Sequence, residues 1–76
     1  MSIGTRIASM RGFRRMNQET LGGLVGVTKQ TVSGWEHDYR VPDAEAIIKL
    51  CKALDCTADY ILGLADEPSG HIRFTS

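Results

Sequence analysis

The chain has 76 residues, of which 42% are hydrophobic, and a formal net charge of zero. This length supports one compact core and therefore one domain. The sequence contains neither the roughly 20 consecutive apolar residues of a membrane span nor the apolar segment of a signal peptide, so we expect a cytoplasmic protein without membrane contact.

Apolar spacing and turn residues predict an all-α fold of five short helices. Ile3, Ile7 and Met10 recur at helical spacing and mark the inner face of a first helix that reaches about Arg14. This face must pack against the other helices.

The second helix is predicted between a capping residue, Asn17, and a terminating glycine, Gly26. Its apolar face is expected to consist of Leu21, Leu24 and Val25.

Thr28 is predicted to cap a third helix, in which Val32 and Trp35 point inward. Four polar residues fall on the opposite side of this helix. They are Lys29, Gln30, Ser33 and His37.

Two further helices follow a loop over residues 37–41. Pro42 and Asp43 signal the start of the fourth helix, and Thr57 is expected to cap a short fifth one that Gly63 closes. The apolar face of the fourth helix is expected to contain Ala46, Ile47, Leu50, Cys51 and Leu54. The predicted domain covers residues 1–65. For the tail, residues 66–76, two alternatives stay open: a frayed end, or a segment that docks at a dimer interface through Ile72 and Phe74.

Residues 18–37 have the spacing of a helix-turn-helix. Two helices that cross over a tight turn need a small residue at their closest approach, here Gly22, and a residue that tolerates a positive φ, here Gly26. The shared core of the two helices is predicted from their apolar positions. These are Leu21, Val25, Val27, Val32 and Trp35.

The stretches MRGFRRMNQETLGGLVGVTKQTVSGWE and VPDAEAIIKLCKALDCTADYILG resemble the DNA-binding domain of the lambdoid phage repressors and Cro proteins. The resemblance covers residues 2 to about 65. It implies a five-helix fold and a phage or prophage repressor, Cro-like, that binds a palindromic DNA operator as a homodimer. A restriction-modification controller and an antitoxin with the same domain are the alternatives within this class.

The resemblance also assigns contacts to DNA. Gln18, the first residue of the second helix, is implied to bind phosphate, and Lys29, Gln30 and Ser33 are implied to contact bases. Their chemistry agrees, because glutamine can pair with adenine and lysine with guanine. Gly34 stands where the family often has a long polar side chain, so fewer residues would read bases directly, or a thymine methyl would approach the backbone there.

Arg11 and Glu36 match family positions that form a salt bridge between the first and third helices, although Arg11 could instead contact phosphate. Arg14 and Arg40 flank the motif and are predicted to contact phosphate. Arg6 is expected to be an ordinary surface residue.

Asn17 and Thr28 lie at helix N-termini, where they can bind phosphate or serve only as caps.

The last predicted helix has more apolar residues than a small domain should need, which suggests a dimer interface. The residues concerned are Tyr60, Ile61, Leu62 and Leu64.

Uneven charge agrees with DNA binding. Residues 1–42 carry six basic and three acidic side chains, whereas residues 43–76 carry three basic and six acidic ones. This distribution indicates a face that approaches a polyanion, or else ordinary surface scatter. The rival interpretation from another class is a protein-interaction module with the same helices.

The sequence lacks the residue patterns of catalytic and metal-binding sites. Cys51 and Cys56 lack the paired spacing of a zinc site, so buried free thiols are expected, with no metal and no cofactor. No Ser/His/Asp set, carboxylate pair or phosphate-binding loop can be assembled, and His37 and His71 are isolated. The sequence thus predicts no enzyme and no small-molecule substrate.

Overall fold

A computed structural model describes residues 2–69. This part of the chain is all-helical and contains no strand. Its elements are α1 (Ile3–Phe13), α2 (Gln18–Val25), α3 (Lys29–Glu36), α4 (Ala44–Leu54) and α5 (Ala58–Ile61). The predicted five-helix fold is confirmed. Within residues 2–69, no helix has the length and apolar character that a membrane crossing requires.

Side-chain caps set where the helices begin. At each start, a side-chain oxygen accepts a hydrogen bond from the backbone N–H three residues further on, which satisfies one N–H that the helix itself leaves unpaired. The capping residues are Ser2, Asn17, Thr28, Asp43 and Thr57. The helix starts predicted from the sequence are thereby confirmed.

The core lies where all five helices meet. Its buried apolar side chains are Ile7, Met10, Leu21, Val25, Val32, Trp35, Ile47, Leu50, Leu54, Tyr60 and Ile61. Leu24 was predicted to join them, and that prediction is wrong, because its side chain is 59% exposed. The inner face of α2 is centred on Leu21, Gly22 and Val25, and at 100° per residue Leu24 falls outside that stripe.

The expectation that Arg6 lies on the surface is also wrong, because this residue is buried. Its Nη1 atom donates hydrogen bonds to the carbonyl oxygens of Tyr60 at 3.1 Å and Ala65 at 2.8 Å. The guanidinium also lies 4.6 Å from the centre of the Tyr60 ring. Arg6 therefore joins α1 to the end of α5.

The chain beyond α5 turns back toward the start of that helix. The backbone N–H of Thr57 donates to the carbonyl oxygen of Pro68 at 2.8 Å. The two alternatives for the tail, a frayed end or docking through Ile72 and Phe74, concern positions outside the described residues.

The two cysteines are free thiols at the end of α4, and both are partly buried. Burial raises the pKa of Cys51. Burial also raises the pKa of Cys56 to about 11, and the neighbouring Cys51 adds to this effect. Within residues 2–69 no cluster of side chains suited to a metal ion occurs.

Candidate nucleic-acid interface

The junction of α2 and α3 has the glycine geometry that the sequence predicts. Gly26 ends α2 with a φ of 77°, in the left-handed region. The N–H of Val27 donates to the carbonyl oxygen of Gly22 at 2.8 Å, and a Cβ atom on Gly22 would lie only 2.7 Å from the carbonyl oxygen of Val27. A side chain at position 22 would therefore separate α2 from the turn.

Burial fixes which side of α3 faces outward. Val32 is fully buried and Trp35 is only 5% exposed, so both belong to the core. Lys29 and Gln30 are exposed on the other side, as predicted. No hydrogen bond or ion pair to another described residue engages either of these two side chains. The outward side of α3 is thus a polar surface whose donors are free for a ligand.

Ser33 lies on the same side of α3 and is partly buried. Its Oγ atom is 3.4 Å from Nδ1 of His37, while that ring nitrogen is 2.9 Å from the carbonyl oxygen of Ser33. The longer contact is weak, so the hydroxyl can exchange it for another partner.

One carboxylate holds α3 against both α1 and α2. Glu36 accepts two hydrogen bonds from Arg11, at 2.6 Å from Nε and 3.0 Å from Nη2, and a third at 3.0 Å from Nε2 of Gln18. The predicted salt bridge between Arg11 and Glu36 is present. The hydrogen bond to Glu36 raises the pKa of the Arg11 guanidinium, against the opposing effect of burial. This arrangement fixes the orientation of α3.

The starts of α2 and α3 meet at a shallow groove that brings several predicted contacts together. The groove is lined by Arg11, Asn17, Gln18, Glu19 and Lys29. Asn17 and Thr28 both act as caps, because Asn17 Oδ1 accepts from the N–H of Thr20 at 2.7 Å and Thr28 Oγ1 accepts from the N–H of Thr31 at 3.2 Å.

Arg14 has contacts that the sequence did not suggest. Its Nε donates to the carbonyl oxygen of Leu54 at 2.8 Å, and its Nη2 donates to that of Asp55 at 2.9 Å. The guanidinium also lies 5.1 Å from the centre of the Phe13 ring. These contacts tie Arg14 to the end of α4, and none of them involves α3.

The predicted dimer interface at α5 is only partly accessible in the structure. Tyr60 and Ile61 were assigned to it, but they are 6% and 0% exposed and lie in the domain's own core, so they offer no surface to a partner. Leu62 and Leu64 remain exposed, at 45% and 58%. Only these two of the four predicted residues are accessible.

Residues 2–69 combine five capped helices with a glycine turn and a polar outward face on α3, which is the architecture of a helix-turn-helix domain. A family model described as helix-turn-helix matches residues 7–61. The chain therefore belongs to the helix-turn-helix family, as its resemblance to the lambdoid repressors predicts.

Similar proteins agree with this membership. Repressor protein C2 of Salmonella phage P22 is 38% identical over 60 residues, which are 79% of this chain and 28% of the P22 protein. The chain thus spans less than a third of that repressor. A crystal structure of the P22 c2 repressor with a synthetic operator superposes with a TM-score of 0.81 at 35% identity, over 86% of this chain and 98% of that one.

A second solved structure belongs to a different kind of regulator. The restriction-modification controller protein C.AhdI from Aeromonas hydrophila superposes with a TM-score of 0.75 at 32% identity. The superposition covers 79% of this chain and 91% of the controller.

Proposed function

We propose that this chain is a sequence-specific transcriptional repressor in the cytoplasm that inserts α3 into the major groove of double-stranded DNA. The observation that carries the proposal is the two-sided character of α3. Val32 and Trp35 anchor its inner side in the core, while Lys29 and Gln30 extend outward without partners in the described chain. The structure of the P22 relative holds a synthetic operator, which supports DNA as the ligand.

The base contacts would come from three residues on α3. Lys29 can donate to O6 and N7 of guanine, and Gln30 can pair with N6 and N7 of adenine. Ser33 is a short donor and acceptor whose weak contact to His37 can be exchanged for a base edge.

Phosphate contacts would come from the groove between the starts of α2 and α3. Gln18 and Arg11 hold donors there, although each also bonds Glu36. Since the side chains of Asn17 and Thr28 are used as caps, their helices would bind phosphate mainly through backbone N–H groups and the helix dipole. Arg14 does not belong to this proposed surface, because its guanidinium lies at the end of α4 and the residue does not line the groove.

The test is selection of bound sequences from a random pool of duplex DNA, followed by affinity measurements on Lys29→Ala and Gln30→Ala. Each variant should lose about 1 to 3 kcal/mol of binding free energy at one base pair of the site. Lys52→Ala removes an exposed lysine from α4 and serves as the matched control. The wild-type affinity should also fall steeply with salt. An unenriched pool, with binding that is indifferent to salt, would leave the protein-interaction module as the better interpretation.

A homodimer on a palindromic operator completes the proposal. Leu62 and Leu64 are exposed apolar side chains next to α5 and could form the centre of a two-fold interface. Two copies would then present their α3 helices about 34 to 36 Å apart, in successive major grooves. Sedimentation at micromolar concentration, with and without DNA, should show a dimer that Leu64→Asp disrupts. A monomer under both conditions would refute this part.

A restriction-modification controller is the second candidate, favoured by the structural similarity to C.AhdI. A reporter gene with the selected site across its promoter separates the two. A repressor lowers transcription in proportion to occupancy. A selected site that lies beside restriction and modification genes and raises transcription when occupied would favour the controller.

A further inference from the structure

Gly34 is buried although it lies on the outward side of α3. It follows Gln30 by four residues, and residues at that spacing share one side of a helix. Gln30 is exposed, so the solvent must be excluded from Gly34 by something other than the core.

The covering group is the side chain of Arg40. A Cβ atom built on Gly34 would lie 3.2 Å from Cδ, 3.4 Å from Cγ and 3.7 Å from Nε of Arg40. The aliphatic part of this arginine therefore occupies the space that a side chain at position 34 would take.

The backbone fixes this arrangement. The N–H groups of Tyr39 and Arg40 both donate to the carbonyl oxygen of Gly34, at 2.9 and 3.2 Å. The loop after α3 is thus bonded to the same residue that the Arg40 side chain covers. These bonds fix the backbone of Arg40 relative to Gly34.

The guanidinium of Arg40 forms no ion pair within the described chain. The residue is exposed, and none of the ion pairs among residues 2–69 includes it. Asp43 and Glu45 line the same groove as Arg40 without pairing with it. Their carboxylates would repel a phosphate that approached from the side of α4.

We propose that Arg40 is a specificity-determining residue that reads a base edge in the major groove, in place of the side chain that α3 lacks at position 34. This inference rests on the proposed DNA binding, and it replaces the phosphate contact that the sequence suggested for Arg40. The planar guanidinium matches the paired acceptors O6 and N7 of guanine, so a guanine is the expected target.

Arg40→Ala and Arg40→Lys, measured on the selected site and on each of its single-base variants, test the proposal. Arg40→Ala should weaken binding about 5- to 150-fold on the selected site and remove the preference at one base pair. Arg40→Lys should restore little of that preference, because the lysine ammonium is a point charge that cannot make the bidentate contact of a guanidinium. Lys52→Ala should leave the preference at every position unchanged.

Gly34→Ala tests the link between the two residues. The new Cβ atom would lie only 3.2 Å from Cδ of Arg40, which is closer than usual. The aliphatic part of the arginine must therefore move by a few tenths of an ångström. We expect a weaker preference at the same base pair in the wild-type background and no further change in the Arg40→Ala background. The variant should stay folded, since alanine favours helix more than glycine does, and thermal unfolding checks this.

Two results would overturn the inference without touching the proposed function. One is an equal loss of affinity on all sequences that Arg40→Lys restores, which is the behaviour of a phosphate contact. The other is an Arg40→Ala variant with unchanged affinity and preference. If the wild-type chain itself selects no DNA sequence, the proposed function fails, and this inference fails with it.

Discussion

Two regions of the molecule use basic side chains in different ways. Where α1 meets α4 and α5, Arg6 and Arg14 donate to backbone carbonyl oxygens at the ends of helices. On the outward side of α3, Lys29 and Arg40 are exposed and form no ion pair with another described residue. The first pair holds helices together, whereas the charge of the second pair is available to a ligand.

Charge counts along the chain therefore do not locate a binding surface. Of the six basic residues in the first 42, Arg6 is buried and Arg11 is paired with Glu36. The basic surface is therefore smaller than the sequence suggests. Of the four that remain, Lys29 and Arg40 lie on α3 and in the loop that follows, whereas Arg14 and Arg15 lie at the end of α1.

Arg6→Ala should give the largest effect. It leaves the carbonyl oxygens of Tyr60 and Ala65 without this donor and should lower the free energy of unfolding by about 3 kcal/mol. Thermal denaturation should show a melting temperature lower by roughly 12 °C or more. Arg15→Ala, at an exposed arginine, should change stability by less than about 0.5 kcal/mol. Equal effects of the two substitutions would mean that the buried arginine has no structural role.

Gly22→Val should come second, because it disturbs the junction that presents α3. The new side chain meets the carbonyl oxygen of Val27, so we expect a loss of about 2 kcal/mol in stability, measured by urea denaturation. Gly23→Ala is the control within the same helix. Nothing lies within 4 Å of its Cβ position, and it should stabilise the protein by about 0.5 to 1 kcal/mol. A stable Gly22→Val variant would contradict the close approach.

An effect that is confined to alkaline pH concerns Cys56, in the region that Arg14 joins to α4. Burial raises the pKa of its thiol from the usual 9.0 to about 11, so the folded state holds this proton more tightly than the unfolded state. The resulting stability is fully present below pH 9 and is lost as the pH rises toward 11. The stability difference between wild type and Cys56→Ala, measured by urea denaturation, should shift in this sense between pH 8 and 11.

Alkylation gives an independent measure of the same thiol. At pH 8, iodoacetamide should modify Cys56 more slowly in the folded protein than in urea, because less thiolate is present. Equal rates in both states would show that burial does not protect it.

Local patterns were sufficient to predict where the helices begin and where the turn between α2 and α3 lies. Asn17 and Thr28 cap helices through contacts three residues away, and Gly26 adopts its positive φ within a single turn. Such interactions depend on near neighbours, so a single sequence contains all that is needed to infer them.

Contacts between distant residues were not predictable in the same way. The partners of Arg6 lie 54 and 59 residues away, and those of Arg14 lie 40 and 41 residues away. One signal was present, because Arg6 falls between Ile3 and Met10 at helical spacing and thus on the inner side of α1. Its charge favoured a surface position. The carbonyl oxygens that accept hydrogen bonds from the buried guanidinium come close to Arg6 only when the chain folds.

The separation between the core and the outward side of α3 has an evolutionary consequence. Lys29, Gln30 and Arg40 can be exchanged without opening a cavity or breaking an ion pair in the described chain. Descendants of this protein could therefore acquire new target sequences through a few surface substitutions while they inherit the same scaffold. Their divergence should be fastest at these positions and slowest at Glu36, whose carboxylate fastens three helices at once.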